Sequence, residues 1–234
     1  MKAMILSAGL GKRMRPLTDK LPKPMLPVSG KPILQRHIEK LVGIGIKDLV
    51  INIHWLAHEI ENYFGSGDEF GAEIQWSRED ALLETGGGVA AALPLLGDDP
   101  FLLINSDIWI DHPIYSLVEK GIDQEIDAHL VLVENPEHNQ KGDYAIDDGT
   151  VILRSDAGSV STVTFSGLSM LRPEIFKTTR LRHKVFPLRD LLLPLIKQRR
   201  VTGEVFKGYW CDMGTQERYR ELCDKLLANV KFGS

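Results

Sequence analysis

The sequence begins with a stretch, "LSAGLGKRMRPL", in which small residues come just before a cluster of positive charge. Gly9 and Gly11 allow backbone N–H groups to approach phosphate oxygens closely, and Lys12, Arg13 and Arg15 supply fixed cations. Cations held in this way stabilise negative charge that develops on a departing pyrophosphate. The stretch is therefore a candidate polyphosphate-binding loop.

Two common phosphate loops are excluded by the residues at their fixed positions. A dinucleotide-binding turn has the form G-x-G-x-x-G, and Met14 stands where its third glycine is required. A P-loop requires Gly at position 6 and Ser or Thr at position 13, where this chain has Leu6 and Arg13. The remaining interpretation is a loop that binds a nucleoside triphosphate, which is then cut at its α-phosphate.

A second basic segment, "LPKPMLPV", presents Lys23 between two prolines. The flanking prolines restrict the backbone on both sides of the lysine. A lysine in a stiff segment stabilises a transition state with less reorganisation than one on a flexible loop. We expect Lys23 and Arg13 to be the catalytic cations.

Displacement at an α-phosphorus brings two anions together, so charge has to be neutralised during the reaction. Mg²⁺ serves this purpose and binds one or two carboxylates together with phosphate oxygens of the substrate. Asp107 ends the apolar run "FLLINSD", and Asp212 lies in "WCDMGT". We expect these two carboxylates to hold Mg²⁺, with Asn105 beside them.

The composition limits the other classes of partner. A net charge of -4 without a sustained basic run argues against nucleic acid. No stretch approaches the roughly 18 apolar residues of a membrane span, and two cysteines are too few for a disulfide framework. These features predict a cytoplasmic protein. The final Gly233 and Ser234 are interpreted as a possible cloning scar.

Strand-like and helix-like segments alternate through the first half of the chain. "KAMILSAG", Asp48–Ile53, "AEIQWS" and Phe101–Asp107 are typical of strands, and "KPILQRHIEKLVGIG", Leu56–Phe64 and "GGGVAAALPLL" of helices. This order predicts an α/β fold with a Rossmann-like mixed, mostly parallel sheet and helices on both faces. Ligands bind beyond the carboxyl ends of such strands. We expect one domain over residues 1–232, with a nucleotide-binding half at about 1–110 and a sugar-binding half at about 111–232.

The second half is less regular. "AHLVLVEN" and "VTFSGLSML" are predicted strands, and the segment between them is typical of a hairpin with its turn at residues 147–149. A helix interrupted or begun at Pro194 and a terminal amphipathic helix complete the expected elements.

Taken together, "AGLGKRMRPLT" and "PKPMLPV" resemble the signature of the sugar-phosphate nucleotidylyltransferases, which join a nucleoside triphosphate to a sugar 1-phosphate and release pyrophosphate. Ser7 replaces the first of two alanines in the usual family form. The resemblance places metal-binding aspartates at Asp107 and at Asp212, within a W-x-D-x-G-T segment. The nucleotide-binding residues that it implies are Ser7, Ala8, Gly9, Leu10, Gly11, Lys12, Arg13, Lys23, Glu84, Thr85, Gly86, Gly87 and Asn105.

The segment "LLETGGG" departs from the family form Leu-Gly-Thr-Ala-Gly, because Glu84 replaces a glycine and Gly87 an alanine. The form "ETGGG" resembles that of the uridylyltransferases of the family that act on N-acetylmuramate 1-phosphate in peptidoglycan sugar recycling. The resemblance thus implies UTP and a sugar 1-phosphate as substrates. The sugar-binding residues that it implies are Glu134, Asp143, Asp156 and Gly167.

Two alternatives remain open from the sequence. One is a different member of the same family, such as a mannose 1-phosphate guanylyltransferase or a phosphocholine cytidylyltransferase. The other is a catalytically silent regulatory protein that binds a nucleotide sugar. Many relatives carry a C-terminal assembly segment after the W-x-D-x-G-T motif, whereas this chain has one predicted helix there. We accordingly expect a monomer or a weak homodimer.

Overall fold

The computed structural model describes residues 1–178 and 184–232. The possible cloning scar at 233–234 lies outside the described residues. Within them the strands are β1 (Ala3–Leu6), β2 (Pro27–Val28), β3 (Lys31–Pro32), β4 (Asp48–Ile53), β5 (Glu73–Arg78), β6 (Phe101–Asn105), β7 (Ile108–Ile110), β8 (Ala128–Val133), β9 (Tyr144–Asp147), β10 (Thr150–Leu153), β11 (Thr162–Leu171), β12 (Val201–Phe206) and β13 (Trp210–Asp212). The α-helices are α1 (Ile33–Gly43), α2 (Ala57–Phe64), α3 (Glu84–Leu96), α4 (Ile114–Lys120), α5 (Glu174–Thr178), α6 (Leu188–Lys197) and α7 (Gln216–Phe232).

A nine-stranded sheet in the order β5-β4-β1-β6-β11-β8-β12-β10-β9 forms the centre of the protein. The first four of these strands are mutually parallel. β11 is antiparallel to β6 and β8, whereas β12 is parallel to β8. β10 is antiparallel to both β12 and β9, so β10 and β11 run against the other seven strands. The predicted mixed, mostly parallel α/β sheet is confirmed.

Helices cover both faces of this sheet because successive strand residues point to opposite sides. Ala3 and Ile5 of β1 belong to the apolar cluster that contains α1, α2 and α4. Met4, between them, belongs to the cluster that contains α3, α5 and α6. The near-continuous apolar strands of the sequence thus supply two cores, one on each face.

A third, smaller cluster joins α7 to the loops that follow β1. Met213 and Leu222 pack with Met14 and Val28, all of them buried. The Tyr219 hydroxyl donates a hydrogen bond to the carbonyl of Pro27 at 2.7 Å. The C-terminal helix therefore holds both basic segments of the N-terminal region against the sheet.

The second half contains the predicted hairpin, with β9 and β10 joined through Asp148 and Gly149. Both residues have left-handed φ angles, 45° and 74°, which is the conformation of a two-residue type I′ turn. The expectation of a helix interrupted or begun at Pro194 is wrong, because α6 begins at Leu188 and continues through it. Pro194 lies on the exposed side of α6. The N–H group that proline lacks therefore leaves no buried backbone group without a hydrogen-bond partner.

Candidate active site

A cleft of about 220 Å³ lies beyond the carboxyl ends of β1, β4, β5 and β6. This is the position that parallel α/β sheets use for ligands. The structure brings eight of the predicted nucleotide and metal residues to this cleft: Ser7, Ala8, Gly9, Lys23, Glu84, Thr85, Asn105 and Asp107. The remaining lining residues, which the sequence analysis did not single out, are Leu6, Pro24, Asn52, Glu79, Leu82 and Ser106.

The order of strands in the sheet sets the order of side chains across the cleft. Glu79 follows β5, Asn52 lies in β4, Ser7 follows β1 and Asp107 follows β6. Three strand spacings separate the first of these strands from the last, which corresponds to about 14 Å. The cleft therefore has two distinct ends, one at Glu79 and Glu84 and the other at Asp107 and Lys23.

Lys23 and Asp107 form a direct ion pair at one end of the cleft. The Lys23 ammonium donates a hydrogen bond to Oδ2 of Asp107 at 2.5 Å. Lys23 lies in a 3₁₀ turn that begins after Pro22, as expected for a segment stiffened by proline. Its side chain is 11% exposed, whereas that of Asp107 is 36% exposed. The cation is thus held in place while the carboxylate remains accessible from the cleft.

The charge state of Asp107 follows from its surroundings. Burial raises the pKa of this carboxyl, but the Lys23 charge and its hydrogen bond oppose that effect and bring the pKa below its ordinary value. Asp107 is consequently an anion at neutral pH. A carboxylate in that state is suited to hold a divalent cation.

Asp212 is brought next to Asp107 by the backbone. β13 pairs antiparallel with β7, with Asp212 opposite Ile108, and the N–H of Met213 donates to the carbonyl of Asp107 at 2.8 Å. Oδ1 of Asp212 accepts a hydrogen bond from Arg218 at 2.6 Å. The same oxygen lies 3.2 Å from Nε2 of His138.

The two carboxylates suit a hard divalent cation in the donor atoms that they offer. A Cβ atom at Gly214 would lie 2.0 Å from a guanidinium nitrogen of Arg218 and 2.8 Å from Oδ2 of Asp212, so this glycine makes room for the ion pair between Arg218 and Asp212. Across residues 1–178 and 184–232, no group of three or more His, Cys, Asp or Glu side chains is arranged to hold a metal ion. A cation bound by Asp107 and Asp212 would therefore need further ligands from a substrate.

The glycine-rich loop turns away from the cleft after Gly9. Leu10, Gly11, Lys12 and Arg13 are not among the residues that line it, and both basic side chains are exposed. Gly11 has a φ of 60°, and a Cβ there would lie 2.9 Å from Thr18. The hydroxyl of Thr18 closes this turn by donating to the Gly11 carbonyl at 2.8 Å. The turn that carries both cations is thus fixed by a hydrogen bond.

A chain of hydrogen bonds that the sequence analysis missed runs beneath the cleft. The N–H of Ser7 donates to Oδ1 of Asn52 at 2.7 Å, and Nδ2 of Asn52 donates to Oε1 of Glu79 at 2.7 Å. Oε2 of Glu79 then accepts the N–H of Leu83 at 3.0 Å. Asn52 and Glu79 are 3% and 6% exposed. The only signal in the sequence is Asn52, the single polar residue within the apolar run "LVINI".

The start of α3 forms the other end of the cleft. Glu84 has a left-handed φ of 60°, and Thr85 uses its hydroxyl to accept the N–H of Leu188 at 2.8 Å. Gly86 and Gly87, predicted to contact a nucleotide, lie outside the cleft lining. A Cβ at either position would lie 2.3 Å from an atom of Phe186 or Lys184. Close packing against residues 184–188 explains why both are glycines.

The predicted sugar-binding residues are spread over several places. Gly167 has a φ of 88°, and a Cβ there would lie 2.8 Å from Nδ2 of Asn105, so it borders the cleft. Glu134 lines a separate cavity of about 250 Å³ with Trp210. Asp143 uses both carboxylate oxygens within the protein, for Asn139 and for the N–H of Phe165. Asp156 is exposed and accepts a hydrogen bond from Ser155.

Taken together, the sheet, the cleft and the paired Lys23 and Asp107 describe an α/β protein with a site for a phosphorylated ligand at the strand ends. The chain belongs to the nucleotidyl transferase family, which matches it over residues 2–229. This membership confirms the family resemblance that the two basic segments carry.

Individual relatives agree with this assignment. The chain is 43% identical over 225 residues to N-acetylmuramate alpha-1-phosphate uridylyltransferase of Neisseria meningitidis, covering 94% of this chain and 96% of that protein. The enzyme of the same name from Caulobacter vibrioides is 32% identical over 91% of each chain. A solved structure of HddC from Yersinia pseudotuberculosis, complexed with GMP-PN, has a TM-score of 0.77 and 25% identity, covering 96% of this chain and 99% of that one.

In the part of the chain that the structure describes, no helix combines the length and the apolar character that a membrane crossing requires.

Proposed function

We propose that the protein transfers UMP from UTP to N-acetylmuramate 1-phosphate, giving UDP-N-acetylmuramate and pyrophosphate. The observation that carries this proposal is the 43% identity to the Neisseria meningitidis uridylyltransferase, which extends over 96% of that enzyme. In the reaction a phosphate oxygen of the sugar 1-phosphate attacks the α-phosphorus of UTP. The bond from the α-phosphorus to the bridging oxygen breaks, and pyrophosphate leaves with the electron pair.

Lys23 is the proposed centre of charge stabilisation. Its ammonium lies at the Asp107 end of the cleft in a stiff, mostly buried segment. There it would neutralise the α-phosphate and the attacking oxygen as charge builds up between them. Preorganisation explains why a lysine is effective here, since little movement is needed during the reaction.

The glycine-rich loop is the proposed site for the leaving group. Ala8 and Gly9 line the cleft, and Lys12 and Arg13 follow in the next turn with exposed side chains. Backbone N–H groups and fixed cations in this arrangement bind the β- and γ-phosphates and then the departing pyrophosphate. Arg13 is the residue proposed to contact the leaving group directly.

Asp107 and Asp212 are the proposed ligands of Mg²⁺. The hydrogen bond from Met213 to Asp107 holds their backbones together, and Gly214 makes room for the Arg218 side chain beside Asp212. Bound Mg²⁺ would supply neutralisation of phosphate charge and alignment of phosphate oxygens. Before any cation binds, Lys23 and Arg218 pair with these two carboxylates and keep both of them oriented.

We propose that each half of the chain binds one of the two substrates. Residues up to about 110 supply the cleft and the phosphate loop, while the later residues supply Gly167, Glu134 and Trp210 on the neighbouring side. Gly167 approaches Asn105 closely and so connects the two regions. A sugar 1-phosphate that enters from the later half would reach the cleft beside Asp107.

Pyrophosphate release with Mg²⁺ tests the proposal directly. Each of UTP, dTTP, GTP, CTP and ATP is combined with N-acetylmuramate, N-acetylglucosamine, glucose and mannose 1-phosphates and with phosphocholine. We expect release chiefly with UTP and N-acetylmuramate 1-phosphate. Release chiefly with another pair would retain the transfer chemistry and overturn the substrate assignment. Nucleotide binding without release for any pair would instead indicate a regulatory protein.

A further inference from the structure

We propose that Arg218 is a positioning residue for Asp212, which it holds through one carboxylate oxygen, and that its charge weakens the binding of a divalent cation in the absence of nucleotide. The inference rests on the proposed function, in which Asp107 and Asp212 hold Mg²⁺. It gives Arg218 two effects, one on the orientation of a metal ligand and one on the affinity for the metal.

The first observation is the ion pair between Arg218 and Asp212. Nη1 of Arg218 donates a hydrogen bond to Oδ1 of Asp212 at 2.6 Å. The two side chains are 15% and 24% exposed, so the pair is partly shielded from water. Charge-assisted hydrogen bonds of this kind are among the stronger interactions between side chains. One oxygen of the carboxylate therefore has a fixed partner.

The second observation is that the backbone leaves room for this arginine. A Cβ atom at Gly214 would lie 2.0 Å from Nη2 of Arg218, so no other residue type fits at position 214 while the guanidinium stays in place. The backbone of Arg218 is fixed as well, since its N–H donates to Oγ1 of Thr215 at 3.3 Å near the start of α7. The glycine of the W-x-D-x-G-T segment is thus explained by the position of Arg218.

The third observation is that the two oxygens of Asp212 differ in their surroundings. Besides the hydrogen bond from Arg218, Oδ1 has Nε2 of His138 at 3.2 Å. The His138 ring stacks on Trp210, with 6.5 Å between the ring centroids. Oδ2 accepts no hydrogen bond from any residue that the structure describes. A carboxylate whose first oxygen is held by the protein presents its second oxygen to a cation in a defined orientation.

The fourth observation is the charge balance of the two proposed metal ligands. Lys23 is paired with Asp107, and Arg218 is paired with Asp212. Both cations are mostly buried, with side chains 11% and 15% exposed. The two negative charges that would attract a divalent cation are therefore already compensated by two positive charges. Nucleotide phosphates add negative charge and further oxygen ligands, so a cation is held more firmly when they are present.

Removal of the Arg218 charge has two opposite effects on the binding of a cation. Loss of orientation weakens binding, but the immobilisation of one side chain changes an equilibrium by only about 2–10-fold. Loss of a positive charge strengthens binding, and a unit charge about 5 Å from a divalent cation changes the affinity by about tenfold or more in a partly buried site. The electrostatic effect is the larger. A neutral residue at position 218 should therefore tighten the binding of a free cation.

The experiment titrates Mn²⁺ into nucleotide-free protein and measures the unbound ion by electron paramagnetic resonance. Mn²⁺ takes the same kinds of oxygen ligand as Mg²⁺. We expect Arg218→Met to bind Mn²⁺ about tenfold more tightly than the wild type. Arg218→Gln should do the same, and its amide can still donate to Asp212 if the methionine variant fails to fold. Arg218→Lys retains the charge and should bind Mn²⁺ within about twofold of the wild type.

Arg220→Met is the matched control. Arg220 lies on the same helix and is exposed, and it donates a hydrogen bond to Gln216 at 3.1 Å instead of pairing with a carboxylate. We expect the Mn²⁺ affinity of this variant to equal that of the wild type, because a solvated charge is screened. Circular dichroism confirms that each variant in the comparison is folded.

Turnover supplies a second readout. With saturating Mg²⁺ and UTP, we expect Arg218→Met to lower kcat about tenfold or more, because Asp212 is no longer oriented. KM for the sugar 1-phosphate should change little, and Arg218→Lys should recover part of the lost kcat. Tighter binding of a cation together with slower turnover is a combination that a loss of stability alone does not produce.

Unchanged or weaker Mn²⁺ binding by folded Arg218→Met and Arg218→Gln would overturn the inference. Equal tightening by Arg220→Met would overturn it as well, since the effect would then reflect net charge alone. The Mn²⁺ titration contains no substrate, so its outcome is independent of the proposed function. Absence of pyrophosphate release by the wild type, with Mn²⁺ binding still dependent on Arg218, would overturn the proposed function and retain the role of Arg218.

Discussion

Lys23 donates a hydrogen bond to Asp107 across 84 positions of the chain, and the pair joins the proline-bounded basic segment to the end of the central strand β6. The lysine is mostly buried and the aspartate is partly exposed to the cleft. The contact therefore links the residue proposed to stabilise the α-phosphate to a residue proposed to hold the metal. Each of these residues orients the other before a substrate binds.

Replacement of Lys23 tests this pairing most simply. We expect Lys23→Ala to lower kcat by about 10²–10³-fold, the effect of losing one preorganised charge-stabilising group. The far-ultraviolet circular dichroism spectrum should remain that of the folded protein. Lys31→Ala is the matched control, because Lys31 pairs with Glu39 at 2.7 Å and is 45% exposed. Retention of full activity by Lys23→Ala would remove Lys23 from its role.

Replacement of Asp212 tests the proposed metal ligands. We expect Asp212→Asn to raise the Mg²⁺ concentration for half-maximal activity about tenfold or more, because a neutral amide is a weaker ligand than a carboxylate. Asp147→Asn provides the control, since Asp147 is exposed and lies 3.8 Å from its partner Arg199. An unchanged Mg²⁺ requirement in Asp212→Asn would show that this residue is not a ligand.

Gly88 tests the hydrogen bonds beneath the cleft. A Cβ at this position would lie 2.7 Å from Oε1 of Glu79 and 2.8 Å from Nδ2 of Asn52. We expect Gly88→Ala to lower the free energy of unfolding by about 1–3 kcal/mol in urea and to raise KM for UTP. Gly43→Ala should not destabilise, because a Cβ there meets nothing within 4 Å. Equal behaviour of the two variants would contradict the role given to Asn52 and Glu79.

His37 predicts how stability depends on pH. Burial, with a smaller effect of the nearby Lys40 charge, lowers the pKa of His37 to about 4. The unfolded chain, with an ordinary histidine pKa near 6.5, therefore binds more protons between these values, and stability falls as pH decreases. From pH 7 to pH 5 we expect this residue to cost about 2 kcal/mol.

The comparison for His37 uses urea unfolding at both pH values. His37→Gln lacks the titrating group, so its free energy of unfolding should fall less than that of the wild type over the same interval. Parallel losses in the two proteins would show that His37 does not remain neutral in the folded state.

Much of the first half of the fold was predictable because its strands are apolar runs. β4 occupies Asp48–Ile53, the range predicted from the sequence. Five consecutive residues of this strand are buried, so pattern and structure coincide. β12 was not predicted, since "VTGEVF" mixes polar residues and a glycine into a strand that pairs with β8.

Residue types indicated part of the candidate site, but the contacts depended on topology. Lys23 and Asp107 are distinctive in the sequence because of the flanking prolines and the strand end. Asn52 and Glu79 are not, since their contact exists only because β4 and β5 are neighbours in the sheet. Asp212 approaches Asp107 only through the pairing of β13 with β7, which sequence patterns do not reveal.

The transfer of UMP is tested by following the phosphorus atoms of UTP. The protein is incubated with Mg²⁺ and N-acetylmuramate 1-phosphate, using UTP labelled with ³²P at either the α- or the γ-position. We expect the α-label to appear in UDP-N-acetylmuramate and the γ-label to appear in pyrophosphate. Appearance of γ-label in the sugar product, or no labelled nucleotide sugar from either substrate, would contradict it.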